Sequence, residues 1–147
     1  MKIDEINMAI IKHLRDGRRS FKNIADNLGL TENTVRSRVK KLMEGGILEI
    51  SGVVNPESIP RHHTVIIGVK LGTADMFKKA EMFSKLRGIV SVAVVTGRYD
   101  LMVTVLFNDD YSLEEFYTEE VSRIEGVQSM ETFVIYKNFN LKVPYIL

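Results

Sequence analysis

Between Ile3 and Leu42 apolar residues return every three to four positions, and turn-forming residues interrupt that rhythm twice. Ile6, Ile10 and Leu14 form the first stripe, with Ile3 just before it, so a helix is expected from Asp4 as N-cap to a stop at Asp16-Gly17. Ser20 then reads as the N-cap of a second helix with Ile24, Ala25 and Leu28 inward, closed by Gly29 in the left-handed conformation. Thr31 restarts a helix at once. Its apolar stripe is Val35, Val39 and Leu42, Glu32 suits the positive end of its dipole, and Gly45-Gly46 breaks it.

Beyond Gly46 the period drops to two. The segment ILEISGVVNP predicts a short strand, a turn at Ser51-Gly52 and another extended piece, and Pro56 and Pro60 then mark a linker. The second half alternates in the order strand, helix, strand, strand, helix, strand. Strands are expected over 64–71, 89–96, 101–107 and 127–136, with Phe77, Ala80, Phe83 and Leu86 lining one helix and Leu113, Phe116, Tyr117, Val121 and Ile124 the other. GRYD joins the two middle strands as a hairpin. This order is the ferredoxin-like βαββαβ pattern. Such a sheet carries helices on one face, so the other face needs a cover, and a second copy of the chain is the economical one.

Charge changes this picture locally rather than globally. The net formal charge of the 147 residues is only +1, yet the first 55 residues hold ten basic against seven acidic side chains, including Lys2, Arg18, Arg19, Arg36, Lys40 and Lys41. The second half is slightly acidic, with Glu114, Glu115, Glu119 and Glu120 on what reads as a solvated helix face. On a helical wheel the third helix gathers Asn33, Arg36, Ser37 and Lys40 into one arc opposite Val35 and Leu42, with Lys41 at its edge. Arg and Asn match the guanine and adenine edges, and Ser37 and Lys40 reach bases or phosphates. Any amphipathic helix has a polar face; the short helix before it, the tight Gly29 turn and Arg18-Arg19 turn the balance toward double-stranded DNA. The candidate DNA-binding set is Arg18, Arg19, Ser20, Thr31, Asn33, Thr34, Arg36, Ser37, Lys40 and Lys41. Arg38 points out of the arc and reads as a structural ion-pair residue or a rim phosphate contact.

Several function classes drop out. The chain has no cysteine, which removes disulfides, thiolate metal sites and cysteine nucleophiles. His62 and His63 are adjacent in an extended segment and point to opposite faces, so no metal site is expected. Nothing has the spacing of a catalytic constellation or a phosphate loop, so neither an enzyme nor a cofactor is expected. The N-terminus is charged and amphipathic rather than a secretory signal, and no run is long enough to span a membrane, so a cytoplasmic protein is expected.

Two regions in order carry a family resemblance. D-x-x-N-x-x-I-I-x-x-L-R-D-G-R-R-S followed by I-A-x-x-L-G-L-T-x-x-T-V-x-x-R-V-K-K-L-x-x-G-G-I-L resembles the winged-helix head of the Lrp/AsnC, or feast/famine, regulators. T-G-R-Y-D-L-x-V-x-V and I-E-G-V-x-x-M-E-T-F-V-I are similar to the hairpin and the last helix-to-strand passage of their ligand-sensing domain. The expected architecture is thus α+β: a winged helix-turn-helix over 1–50, an extended linker over 51–62 and a ferredoxin-like domain over 63–147. The resemblance implies a transcriptional regulator that forms a homodimer, assembles further to an octamer, and binds a small-molecule effector, usually an amino acid, near the glycine-aspartate hairpin. Carried onto this chain, the effector set is Thr96, Gly97, Tyr99 and Asp100, with Arg98 inside the same loop. A carboxylate there suits an ammonium group, but turn chemistry alone also favours these residues. One departure is the linker, where Ile59-Pro60-Arg61-His62-His63 stands in place of the glycine common in the family. Two rival readings stay open: a metabolite-binding module that no longer reads DNA, and a tetrapyrrole decarboxylase of the kind similar to this family, against which the scarcity of histidine argues.

Overall fold

The computed structural model describes residues 3–147; Met1 and Lys2, which belong to the expected head and of which Lys2 counts toward its basic excess, lie outside the described residues. The chain forms two compact units, one ending at Ser51 and the next beginning at Gly52.

The first unit holds α1 (Glu5–Leu14), α2 (Phe21–Leu28) and α3 (Glu32–Glu44). Each helix starts where its cap residue stands. Asp4 accepts the Asn7 N–H at 2.7 Å, Ser20 that of Asn23 at 3.2 Å and Thr31 that of Thr34 at 3.2 Å. Gly29, at φ 64°, turns the chain out of α2 so that the Leu30 N–H reaches the Ala25 carbonyl at 2.9 Å, and Leu30 drops onto the core. Ile10, Ile24, Ala25, Val35 and Val39 are buried together, with Leu14, Phe21, Leu28 and Leu48 around them. Burying each large aliphatic side chain contributes about 1.5–3 kcal/mol, which is what holds three short helices that would not persist alone.

The strand expected directly after Gly46 is not formed. Gly46 takes φ 66°, and the N–H groups of Ile47 and Leu48 turn back onto the Leu42 carbonyl at 2.9 and 3.2 Å, so they close α3 and are lost to any ladder. The extended piece that does pair is β1 (Val53–Val54), antiparallel to β6 (Val143–Pro144) near the C-terminus. Between β1 and the main sheet the linker is not uniformly extended: Pro56–Ser58 make one tight helical turn and Arg61 sits at φ 62°.

The main sheet has the order β3-β4-β2-β5, all antiparallel, from β2 (His63–Leu71), β3 (Ile89–Val94), β4 (Leu101–Phe107) and β5 (Val127–Val134). Val65, Ile67, Val69 and Leu71 alternate inward along β2 and meet Leu101, Val103, Val105 and Phe107 of β4 under α4 (Met76–Ser84) and the second helical segment. That segment is less regular than its periodicity predicts. It opens as α5 (Leu113–Glu115) behind a Ser112–Glu115 capping box, widens over Phe116–Glu120 and tightens over Val121–Arg123. Phe116 is nonetheless fully buried, its ring 5.9 Å from that of Phe107 and nearly perpendicular to it. No helix among the described residues is long and apolar enough to cross a membrane.

Candidate nucleic-acid interface and hairpin site

Helix α3 presents Asn33, Arg36, Ser37, Lys40 and Lys41 exposed, while Val35, Val39 and Leu42 are buried beneath them. The exposed arc divides into two rows. Asn33, Ser37 and Lys41, one turn apart, border an open polar groove of about 550 Å³ whose far wall is Asp4 and Asn7 of the α1 end. Glu32, Arg36, Lys40 and Glu44 form the second row, in which Arg36 donates to Glu32 at 2.6 Å and Lys40 lies 3.7 Å from Glu44. Arg18, Arg19 and Ser20 are exposed in the α1–α2 turn, and the Arg19 guanidinium lies 2.6 Å from His13 Nδ1. Thr31 is exposed and Thr34 half-buried; their hydroxyls stand 2.9 Å apart, which ties both to the start of the helix. Ser20 and Thr31 thus each carry a helix cap.

Arg38 lines the same groove but turns its guanidinium onto α1. Its guanidinium donates to Asp4 at 2.7 Å and to the Oδ1 of buried Asn7 at 2.9 Å. The Asn7 backbone N–H and then Arg38 hold the Asp4 carboxyl below the usual carboxylate range. A depressed folded-state pKa means that this contribution is complete above the unfolded value and is lost as pH falls through the folded one. Arg38→Ala leaves the Asn7 oxygen short of a partner, so the head is expected to lose about 1–2 kcal/mol in denaturant unfolding at pH 7. DNA affinity corrected for that loss stays unchanged, which a base-reading Arg38 would contradict.

The hairpin residues occupy residues 95–100 between β3 and β4. Thr96, Gly97 and Arg98 are exposed at its tip; Tyr99 and Asp100 are half-buried at its base. The Tyr99 ring lies flat on Gly68 of β2, so closely that a Cβ there would stand 2.7 Å from the ring. Its hydroxyl donates to Glu131 of β5, its ring meets Phe133 edge-on at 5.9 Å, and the Arg98 guanidinium lies 3.5 Å from the same Glu131 carboxylate. Asp100 is committed elsewhere. Its carboxylate accepts the Leu71 N–H at 2.8 Å and Lys70 Nζ at 3.1 Å, and those two bonds hold its pKa down, the backbone bond first. The Leu71 N–H needs this acceptor because the β2–β5 register slips between Lys70 and Leu71. The turn-chemistry role weighed for Asp100 is therefore filled within this chain.

Sequence reasoning did not tie Glu32 to Arg36, and it did not bring Gly68, Lys70 and Glu131 to the hairpin. The Glu32–Arg36 spacing of four was visible, and a glycine inside TVIIGVKL signals a close approach, but nothing in the sequence says what approaches. The adjacent histidines separate, His62 Nε2 lying 3.2 Å from the Tyr145 hydroxyl and the His63 ring against Phe107 at 5.7 Å.

Comparison with known proteins bears on both halves of the chain. A family model described as the AsnC-type helix-turn-helix domain matches residues 3–43, and one described as the Lrp/AsnC ligand binding domain matches residues 64–142. An HTH-type transcriptional regulator of Pyrococcus furiosus is 33% identical over 135 residues, spanning 90% of this chain and 91% of the relative. One from Pyrococcus abyssi is 31% identical over 137 residues, spanning 92% and 87%. Among solved structures, E. coli AsnC superposes with a TM-score of 0.67 at 23% identity, covering 94% of this chain and 95% of that one. A Neisseria meningitidis transcriptional regulator solved as its L-Met complex superposes with a TM-score of 0.69 at 21% identity, covering 95% and 94%. At those identities the structures speak to the fold alone, and they share the helix-turn-helix head followed by the antiparallel α+β domain. With both domain models in order and a relative one-third identical over nine-tenths of its length, the chain belongs to the Lrp/AsnC family of transcriptional regulators.

Proposed function

We propose that this regulator reads double-stranded DNA through α3 and responds to an amino acid at the hairpin of its ligand-binding domain. The observation that carries the DNA reading is the exposed arc of Asn33, Arg36, Ser37, Lys40 and Lys41 over a fully buried apolar stripe, with Arg18, Arg19, Ser20, Thr31 and Thr34 at the neighbouring helix ends. Thr96, Gly97, Arg98, Tyr99 and Asp100 form the proposed effector site, where Arg98 and Glu131 offer a cation and an anion beside the Tyr99 ring. An amino acid is zwitterionic and suits such a pair, and the L-Met bound by the Neisseria protein favours that ligand class. The working unit is a homodimer that assembles to an octamer in the cytoplasm. Its support is β5, an edge strand carrying Phe133 and Val134 exposed, followed by exposed Tyr136 and Phe139. The division into a head over 1–50, a linker over 51–62 and a ligand domain over 63–147 belongs to the same proposal.

A salt titration on a genomic promoter fragment tests the DNA reading. Affinity is expected to fall steeply and log-linearly with salt, and Arg36→Ala with Lys40→Ala to weaken binding and flatten the slope. Binding that ignores salt, or a double variant that binds like wild type, would sink it.

A further inference from the structure

The row 32-36-40-44 along α3 reads acid, base, base, acid, and its two ends are built differently. Lys40 and Glu44 are 3.7 Å apart with side chains 75% and 63% exposed, a loose solvated pair. At the other end Arg36 and Glu32, still 61% and 44% exposed, are joined at 2.6 Å, and the guanidinium carbon lies 5.3 Å from the centroid of the Phe21 ring. Phe21 is the first residue of α2 and packs against the core of the head, so it gives Arg36 a platform that does not move with solvent.

Glu32 is the first residue of α3, directly after its cap Thr31. Helical side chains lean toward the N-terminus, so Arg36 reaches back and the two charged tips meet at the start of the helix. That is the end of a docked recognition helix that contacts base edges. A carboxylate there suits the positive end of the helix dipole but opposes the phosphates, so a docked helix gains by meeting it with a donor on the DNA. The major groove offers one: guanine shows two acceptors, N7 and O6, while its paired cytosine shows a donor, N4. An A·T pair gives an arginine one purine acceptor instead of two, beside the thymine O4 that a carboxylate avoids. Arg36 has five N–H donors and spends one on Glu32, which leaves the others free for a two-point contact.

We propose that Glu32 and Arg36, joined at 2.6 Å and backed by Phe21, act as a single reader of one G·C pair in each half-site. Arg36 donates to guanine N7 and O6, and Glu32 accepts from cytosine N4 while fixing the guanidinium plane. The assignment rests on the DNA reading above and goes beyond it by naming the base pair and two residues, Glu32 and Phe21, outside the basic arc.

The test is enrichment of random-sequence duplexes on the 147-residue chain, repeated with Glu32→Gln, Glu32→Asp and Phe21→Leu. Competition binding then uses the enriched duplex and a version with each G·C pair changed to A·T. Wild type is expected to prefer G·C at one position per half-site by roughly 10-fold or more. Glu32→Gln should lose most of that preference while binding the random library more tightly, with the rest of the consensus intact. Glu32→Asp, whose carboxylate is too short to hold Arg36, and Phe21→Leu should weaken the preference at the same position. A Glu32→Gln protein that keeps the G·C preference, or gains affinity equally for every duplex, overturns the paired reader while leaving the DNA reading standing. No enriched sequence with wild type overturns sequence reading by this helix and the paired reader with it.

Discussion

Gly88→Ala is expected to lower the stability of the ligand-binding domain by about 3 kcal/mol, seen as a fall of roughly 12–24 °C in its calorimetric melting temperature. Gly88 lies at φ 75° in the turn between α4 and β3, a conformation that costs an L-residue about 1–2 kcal/mol. Space is the larger obstacle. A Cβ there would stand 2.6 Å from the Leu106 carbonyl oxygen and 2.7 Å from the Tyr111 ring. The oxygen belongs to β4, and the Leu106 N–H donates to the Gly88 carbonyl at 2.7 Å, so the turn cannot retreat without breaking a bond to the sheet. Nor is Tyr111 free to swing away. It is buried, its hydroxyl donates to the Arg87 carbonyl at 2.9 Å, and the Arg87 guanidinium lies 4.3 Å from its ring. The same burial pushes its phenol up to about 12, so Tyr111 is neutral at any ordinary pH and its donated bond does not vary. Gly17→Ala is the control, because a Cβ there meets nothing within 4 Å and the change should stay within about 0.5 kcal/mol. A Gly88→Ala protein that melts with wild type would mean that the turn has room to yield against β4 and Tyr111.

What the sequence made legible follows from which forces are local. Asp4, Ser20, Thr31 and Gly29 act within a few residues of where they stand, so helix starts and the α2–α3 turn could be read directly. The inward residues of β2 and β4 were legible for the same reason, since alternation alone fixes the buried face. The strand expected after Gly46 failed because backbone N–H groups can be claimed by only one structure, and the helix end claimed those of Ile47 and Leu48 first. The irregular segment over 113–123 kept its apolar face while its hydrogen bonding changed, and periodicity reports only the face. Pairing between distant segments, such as β1 with β6 or Tyr99 with Gly68, leaves no trace in spacing. The hairpin was legible as a turn but not as a set of partners, because Lys70 and Glu131 reach it from other strands.

Gly68→Val is expected to keep the fold and abolish the response to effector. The added Cβ would sit 2.7–2.8 Å from three atoms of the Tyr99 ring, as close as the Cβ contacts at Gly88. The neighbour decides the outcome. Tyr99 stands on a hairpin that is exposed at its tip, and its ring can rotate off the sheet, whereas a β4 carbonyl cannot. Gly68 also lies in the middle of β2, paired to Met102 on one side and Glu131 on the other, where a β-branched residue suits the strand. Strain and improved strand propensity therefore offset one another, and the melting temperature should change by the equivalent of about 1 kcal/mol or less. The local consequences are larger. Tyr99 loses its bond to Glu131 and its edge contact with Phe133, while the Asp100 bonds to Leu71 and Lys70 remain, because they hold the hairpin base rather than its face. Thermal-shift measurements against the twenty amino acids check this directly. A ligand that binds the folded wild type stabilises it by about 2.7 kcal/mol at a hundredfold excess over Kd and so raises its melting temperature, and the Gly68→Val protein should show no such rise. Aromatic NMR should show the Phe133 ring shifts moving in the variant as the Tyr99 ring leaves. An undiminished ligand shift would place the effector away from Tyr99, and a collapse in melting temperature like that of Gly88→Ala would mean that Tyr99 is locked in place as Tyr111 is.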